Sequence, residues 1–240
     1  MIAVARCCAL AAALSASTLG TAAAGDYAER ALYGFSPDGA YFAFEEYGVQ
    51  DGSGFPYSNV YVVDTAADTW VTGTPVRVRI DNEAASLADA RSQALEGARQ
   101  VLQDRLIGTP GNAVAVNPAT ETSANPHFVS FRPRLTLPAT GPDYSLTIQE
   151  YPLPAADCPE VGQPFQGFRL TLTTPDGQSR VLNEDQSIPA SRRCPLSYGI
   201  SDVVTYYPEP AAAPVIVVMV NVFSVGFEGP DRRFVAVPAQ

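Results

Sequence analysis

The sequence predicts an α+β fold that is mostly β, made of antiparallel meanders and hairpins with one packing helix at about 84–107. Three observations carry that expectation. Gly34-Phe35-Ser36-Pro37-Asp38-Gly39 is a turn that feeds alternating apolar runs as far as Asp64. Leu87, Ala90, Ala94, Ala98, Val101, Leu102 and Leu106 recur three and four residues apart, the period of one helix face. Thr174-Pro175-Asp176-Gly177 repeats the turn chemistry between two later apolar runs, which is a hairpin signature.

In chain order, residues 1–24 read as a cleaved signal peptide. Arg6 supplies a positive start, Ala9 to Leu19 is apolar or small, and Ala22-Ala23-Ala24 offers an Ala-x-Ala cleavage site before Gly25. The apolar run is short of the ~20 residues that cross a bilayer, and Cys7 and Cys8 precede it, which does not suit lipid attachment. The remaining 25–240 is expected to be a single secreted domain. Residues 26–36 form a first strand. Pro37 presets φ for a type I turn, and Gly39 accepts positive φ without a Cβ clash. Strand 40–48 then alternates, with Phe42 and Phe44 on one face and Tyr41, Ala43 and Glu45 on the other. Strand 57–64 places Val60 and Val62 opposite Tyr61 and Val63. Trp70, the only tryptophan, reads as core or a half-buried lid. Val76, Val78 and Ile80 alternate with Arg77 and Arg79 in a half-buried strand.

The helix follows. Asp81-Asn82 or Ser86 can cap its start, and Ser86 with Asp89 fits a capping box, while Gly108 and Pro110 mark a stop. Its small residues allow close approach to a sheet, with Arg91, Glu96, Arg99, Gln103 and Asp104 mostly outward. Residues 109–126 read as a long connection. Further strands are expected at 127–132, 134–137, 144–151, 166–173, 178–182, 200–207, 214–225 and 232–237. The run from Pro214 to Val225 is β-branched and too short for a spanning helix, so it reads as a buried strand.

Composition limits the function classes. The net charge is −10 and there is no lysine, which argues against nucleic acid and anionic membrane partners. Loss of the leader leaves Cys158 and Cys194. An even pair in an exported chain predicts a disulfide, worth roughly 3–4 kcal/mol on a chain-entropy view. Each cysteine is followed by a proline and has no neighbouring histidine, so a catalytic thiol is not indicated.

The first turn, the Tyr61-Val62-Val63-Asp64 strand end, the Ala90-Arg91 and Ala98-Arg99 pairs, and the stretch Asp185-Gln186-Ser187-Ile188-Pro189-Ala190-Ser191-Arg192-Arg193-Cys194-Pro195-Leu196-Ser197-Tyr198 resemble a family of predicted secreted bacterial proteins, domain of unknown function 2259. The resemblance implies export and a single domain and carries no activity or catalytic residue. Residues 34–64 alone also resemble one blade of a TolB-like or WD-repeat propeller. A propeller repeats its blade, and here the unit occurs once before the helix interrupts.

Chemistry-bearing residues are few. His127 is the only histidine and no Gly-x-Ser-x-Gly elbow accompanies it, so it reads as structural rather than as a triad base. No metal or cofactor is expected. Three or four His/Cys ligands are usual for zinc, and neither Asp51-Gly52-Ser53-Gly54 nor Asn183-Glu184-Asp185 has a calcium-loop pattern. Glu45 and Glu46, with Asp64 expected close by, are candidate carboxylates for glycoside hydrolysis, which needs a pair about 5–10 Å apart. Tyr41, Tyr47, Tyr57 and Tyr61 are candidate binding residues, set against a plain reading as sheet cover. Arg192 and Arg193, beside a disulfide, are suited to a carboxylate or phosphate or to internal pairing with Glu184, Asp185 or Asp202. The favoured function is a non-enzymatic periplasmic or secreted binding protein that recognises a protein, peptide or envelope glycan through an aromatic-lined sheet edge. A glycan-acting hydrolase and a purely structural envelope component are the alternatives.

Overall fold

The computed structural model describes residues 25–118, 120–209 and 213–239. The expected leader and its cleavage site lie outside the described residues. Among the described residues thirteen strands make three antiparallel sheets, accompanied by one α-helix. The first sheet has β1 (Glu29–Phe35), β2 (Tyr41–Val49), β3 (Pro56–Asp64) and β4 (Thr69–Trp70) in order, with β5 (Val76–Arg79) also paired to β3. Helix α1 (Leu87–Asp104) follows it. The second sheet runs β10 (Ser179–Glu184), β9 (Gln166–Thr173), β8 (Tyr144–Pro152), β7 (Phe128–Phe131). The third runs β13 (Asp231–Ala239), β12 (Val215–Ser224), β11 (Pro195–Tyr206), β6 (Asn112–Val116).

These elements stack in four layers: second sheet, third sheet, first sheet, helix. Phe168, Leu170 and Leu146 meet Val218, Val220 and Ile200 between the second and third sheets. Val217, Met219 and Phe234 on the opposite face of the third sheet meet Phe35, Phe42 and Phe44 of the first. Ala94 and Ala98 then pack on Val60, and Val62 and Ala43 form an adjoining cluster. Strand β12 is therefore covered on both faces, which is why its sequence is a continuous apolar run rather than an alternating one.

The two turns form as expected. Gly39 takes φ 74, and Asp38 locks the first corner by accepting from the Ser36 hydroxyl at 2.6 Å and the Ala40 N–H at 3.0 Å. Gly177 takes φ 82 in the second. The capping box is complete: Asp89 N–H donates to Ser86 Oγ at 3.1 Å and Ser86 N–H to Asp89 Oδ2 at 3.3 Å. The helix is shorter than expected because Leu106, at φ 52, makes the left-handed residue ahead of Gly108. The Ile107 N–H then reaches back to the Leu102 carbonyl at 2.9 Å, a Schellman-type closure.

Three expectations need correction. The 109–126 connection contains β6, which pairs with β11; its Asn-Ala-Val-Ala-Val sequence is short and weakly apolar, and only a partner distant in sequence makes it a strand. Residues 134–137 are not a strand, although Leu135 and Leu137 alternate. Strand β11 starts at Pro195 rather than near 200 and carries a register shift between Ile200 and Asp202, which hides its period. Cys158 and Cys194 are bonded, with Cα atoms 5.7 Å apart across a 36-residue separation. No helix among the described residues is long and apolar enough to cross a membrane.

Candidate functional site

The β-pleat decides where the candidate carboxylates go. Glu45 and Glu46 are consecutive on β2, so their side chains leave opposite faces of the first sheet. Glu45 enters the layer under α1. It accepts two bonds from Arg91, at 2.9 and 2.8 Å, one from the Ser58 hydroxyl at 2.8 Å and one from the Tyr33 hydroxyl at 2.9 Å. Burial alone pushes its pKa up, but the bonds from Arg91, Ser58 and Tyr33 outweigh burial and hold it below the usual carboxylate value. Arg91, expected outward, is therefore turned onto the sheet. Asp64 is far from both. It pairs with Tyr41 while Glu46 pairs with Asn59, five residues apart or roughly 16 Å along a strand. Asp64 accepts the N–H groups of Ala66 and Ala67 and so caps a turn. The expected cluster of three acids does not assemble.

The tyrosines divide in the same way. Tyr41 and Tyr47 lie on the helix side, under Arg105 at 4.6 Å and Arg91 at 3.8 Å. Tyr57 and Tyr61 lie on the other side, where the hydroxyls donate to Asp26 and Glu46 at 2.7 and 2.8 Å. Gly48, the cross-strand neighbour of Tyr57, makes room for that ring: a Cβ there would sit 2.8 Å from the Tyr57 oxygen. Burial raises the pKa of both tyrosines well beyond their ordinary range.

That second face opens into a cleft of about 390 Å³ between the first sheet and the β12–β13 side of the third. Five arginines line it: Arg77 and Arg79 from β5, Arg192 and Arg193 from the turn before β11, and Arg233 from β13. Tyr57, Tyr61 and Trp70 supply the aromatic wall. Trp70 is not core. It is 45% exposed, tilted against Tyr61 at 5.8 Å, with the Arg77 guanidinium over its ring at 5.4 Å.

Most of these cations are anchored from behind. Arg79 is bidentate on Asp81, Arg192 pairs with Asp185, Arg193 with Asp231 at 3.3 Å, and Arg233 with Asp26. Internal pairing of Arg192 with Asp185 was one of the expected alternatives; Asp202 instead takes Arg30, and Glu184 takes Arg169. Among the described residues Arg77 has no carboxylate partner within salt-bridge distance. Glu46, only 3% exposed, likewise has no ion pair within salt-bridge distance among the described residues. It accepts from Asn59 at 3.0 Å, Tyr61 at 2.8 Å and the Phe234 N–H at 3.0 Å. A side chain thus occupies an outward amide of edge strand β13, which would otherwise be open to strand pairing. His127 lies elsewhere, its Nε2 3.1 Å from the Tyr198 carbonyl and 3.5 Å from Glu150.

Sequence reasoning did not assemble Arg77, Arg79, Trp70 and Arg233 with Arg192, Arg193, Tyr57 and Tyr61. The alternation Val76-Arg77-Val78-Arg79 did place two arginines on one face. What it lacked was the surface opposite, supplied by residues more than a hundred positions later.

Layered antiparallel sheets, one packing helix and one disulfide define a mostly-β α+β protein with an arginine-lined cleft. The chain belongs to the DUF2259 family, described as predicted secreted protein, which matches residues 43–240. No curated protein and no solved structure matches the chain.

Proposed function

We propose that this is a non-enzymatic binding protein of the bacterial periplasm or cell surface, released as a single domain by cleavage after Ala24, whose ligand presents carboxylate or phosphate groups to the arginine cleft. The observation that carries this reading is the donor–acceptor imbalance of the cleft wall. Each guanidinium has five N–H donors and an ion pair uses one or two of them, so the exposed Arg77, Arg79 and Arg193 keep donors in hand at the cleft. The two carboxylates that line the cleft are already engaged: Asp81 by Arg79, and Glu46 by Asn59, Tyr61 and Phe234. An acceptor-rich, donor-poor group is complementary to such a wall, and Trp70 with Tyr61 offers an apolar surface beside it. An acidic envelope glycan or an acidic peptide has this chemistry. A neutral sugar, with as many donors as acceptors, does not.

The hydrolase alternative finds little support. Glu46 stands alone at the cleft with its oxygens engaged, Glu45 is on the opposite face, and Asp64 caps a turn.

Trp70 is the only tryptophan, so its fluorescence reports the cleft directly. Titration with oligogalacturonate, a glutamate-rich peptide and inorganic phosphate, with maltohexaose as the neutral control, is the test. The expected result is a saturable change with at least one anionic probe, weakened by salt and lost in Arg77→Ala/Arg193→Ala. No saturable response to any anion, or an equal response to maltohexaose, overturns the proposal.

A further inference from the structure

Arg192 and Arg193 are neighbours in the cleft wall but are held by different means. Arg192 is fixed by packing: its side chain is 8% exposed, paired with Asp185, and its guanidinium stacks over Phe168 at 4.7 Å and Tyr198 at 5.7 Å. Arg193 has no such bed. Its side chain is 54% exposed, and its one ion pair is to Asp231 at 3.3 Å.

The backbone of Arg193 is nonetheless unusual. It sits at φ 56, ψ −124, a region costly for any residue with a Cβ, and one that survives only when the surroundings impose it. Few contacts impose it here. The Arg193 N–H donates to the Ala190 carbonyl at 3.2 Å, and the next carbonyl, that of Cys194, accepts from Val225 at 3.0 Å. The further restraints are the pairing of Pro195 with Ser224 where β11 begins and two that both come from Cys158: its Sγ lies 3.9 Å from the Arg193 carbonyl, and it is bonded to Cys194. Cys158 belongs to the loop between β8 and β9, where its N–H closes a turn on the Ala155 carbonyl at 3.1 Å.

We propose that the Cys158–Cys194 bridge is a positioning element of the cleft, which keeps Arg193 in its left-handed turn with its guanidinium at the ligand mouth. The bridge works through Arg193 and leaves Arg192, which is seated by its own packing, in place. This inference rests on the binding reading above. It separates the role of the bridge in affinity from its general contribution to stability.

The test compares Cys158→Ser/Cys194→Ser, Arg193→Ala and the triple variant, using the anionic probe that the wild type binds and the Trp70 signal. Circular dichroism first establishes that each variant is folded. One charge-assisted contact corresponds to about tenfold in affinity, so the double-serine variant and Arg193→Ala should each bind about tenfold more weakly. The triple variant should bind no more weakly than Arg193→Ala alone, because both changes remove the same contact. Wild-type affinity in the folded double-serine variant, or losses that add in the triple, overturn the proposal.

Hydrogen exchange on ligand-free protein provides a second readout. Removing the bridge should speed exchange at 190–194 and leave 198–206 protected. If the serine variant does not fold, reduction and alkylation of the folded wild type supplies the same comparison. Should the wild type bind no anionic probe, the binding reading fails by itself. Unchanged exchange at 190–194 would then overturn the positioning role independently.

Discussion

Glu45 and Glu46 are adjacent in sequence and both nearly inaccessible to solvent, at 0% and 3% exposure, yet they serve opposite faces of one sheet by different physics. Under the helix, Glu45 is a paired charge, with Arg91 supplying two bonds and two hydroxyls completing its shell. On the cleft side, Glu46 has no ion pair within salt-bridge distance among the described residues and is held by hydrogen bonds, one of them from a backbone amide of another sheet. On the helix face Arg91 buries a carboxylate, while on the cleft face Asp81 and Asp231 hold Arg79 and Arg193 at a surface. What distinguishes Arg91 from Arg193 is which side of the pair faces water. Arg91 points inward to Glu45, whereas Arg193 is backed by Asp231 and left more than half exposed.

The sharpest way to break this comparison is to remove one arginine from each face. Taking away one partner of a buried ion pair typically costs 3–5 kcal/mol because the other charge is stranded. Arg91→Ala should lie near the bottom of that range, about 3 kcal/mol, since its side chain is 38% exposed and water can replace part of it. Arg77→Ala, at the cleft rim with no carboxylate partner among the described residues, should change stability by less than about 0.5 kcal/mol. Urea unfolding monitored by circular dichroism measures both. Equal losses would mean that the two faces are not divided between structure and binding.

Glu46 gives the next largest effect. Glu46→Ala leaves the Phe234 N–H and the Tyr61 hydroxyl without their acceptor. An orphaned buried donor costs about 1–3 kcal/mol, so a loss of about 2 kcal/mol is expected. Glu46→Gln, which keeps one carbonyl acceptor, should lose less. The same variants separate the binding and hydrolase readings. Anion affinity should survive in Glu46→Gln, and turnover of a glycan panel, were any found, should not depend on Glu46 or on Asp64.

The division between the faces was half legible in the sequence. Alternation within 40–48 and within 57–64 separated Phe42 and Phe44 from Ala43, and Tyr61 and Val63 from Val62; which faces match across the two strands came only from the structure, which joins Phe42 and Phe44 with Tyr61 and Val63, and Ala43 with Val62. The same alternation also separates Glu45 from Glu46, so treating them as a pair overlooked information the pleat already carried. The Pro-Asp-Gly turns and the Ser86–Asp89 box were legible because their chemistry is local, complete within four residues. Strand β6 and the cleft were not, because each depends on a partner from a distant part of the chain: β11 for Asn112–Val116, and β12–β13 for the wall facing Arg77 and Arg79. Arg193 falls between these cases. Its neighbour Cys194 was legible as a bridge, but the backbone turn that aims the guanidinium was not.

The smallest expected effect is a difference in the sign of pH dependence. Glu45 has its pKa held below the ordinary value, because the bonds from Arg91, Ser58 and Tyr33 outweigh burial. Its contribution to stability is present above the unfolded pKa and is lost as pH falls through the folded one. Asp231, behind Arg193, is raised: burial leads, the Asp26 charge adds to it, and the pull of Arg233, Arg193 and the Asp26 N–H does not compensate. Its contribution is present in acid and is lost as pH rises through its folded pKa. Both act in the carboxylate window, about pH 3–5. Relative to wild type, Glu45→Gln should show a deficit that is largest at neutral pH and shrinks on acidification, and Asp231→Asn should become comparatively more stable as pH rises. Urea midpoints across pH 3–7 decide the matter. If the two difference curves slope the same way, the helix-side and cleft-side carboxylates are held by the same balance of burial and charge, and the contrast between the faces fails at its chemical root.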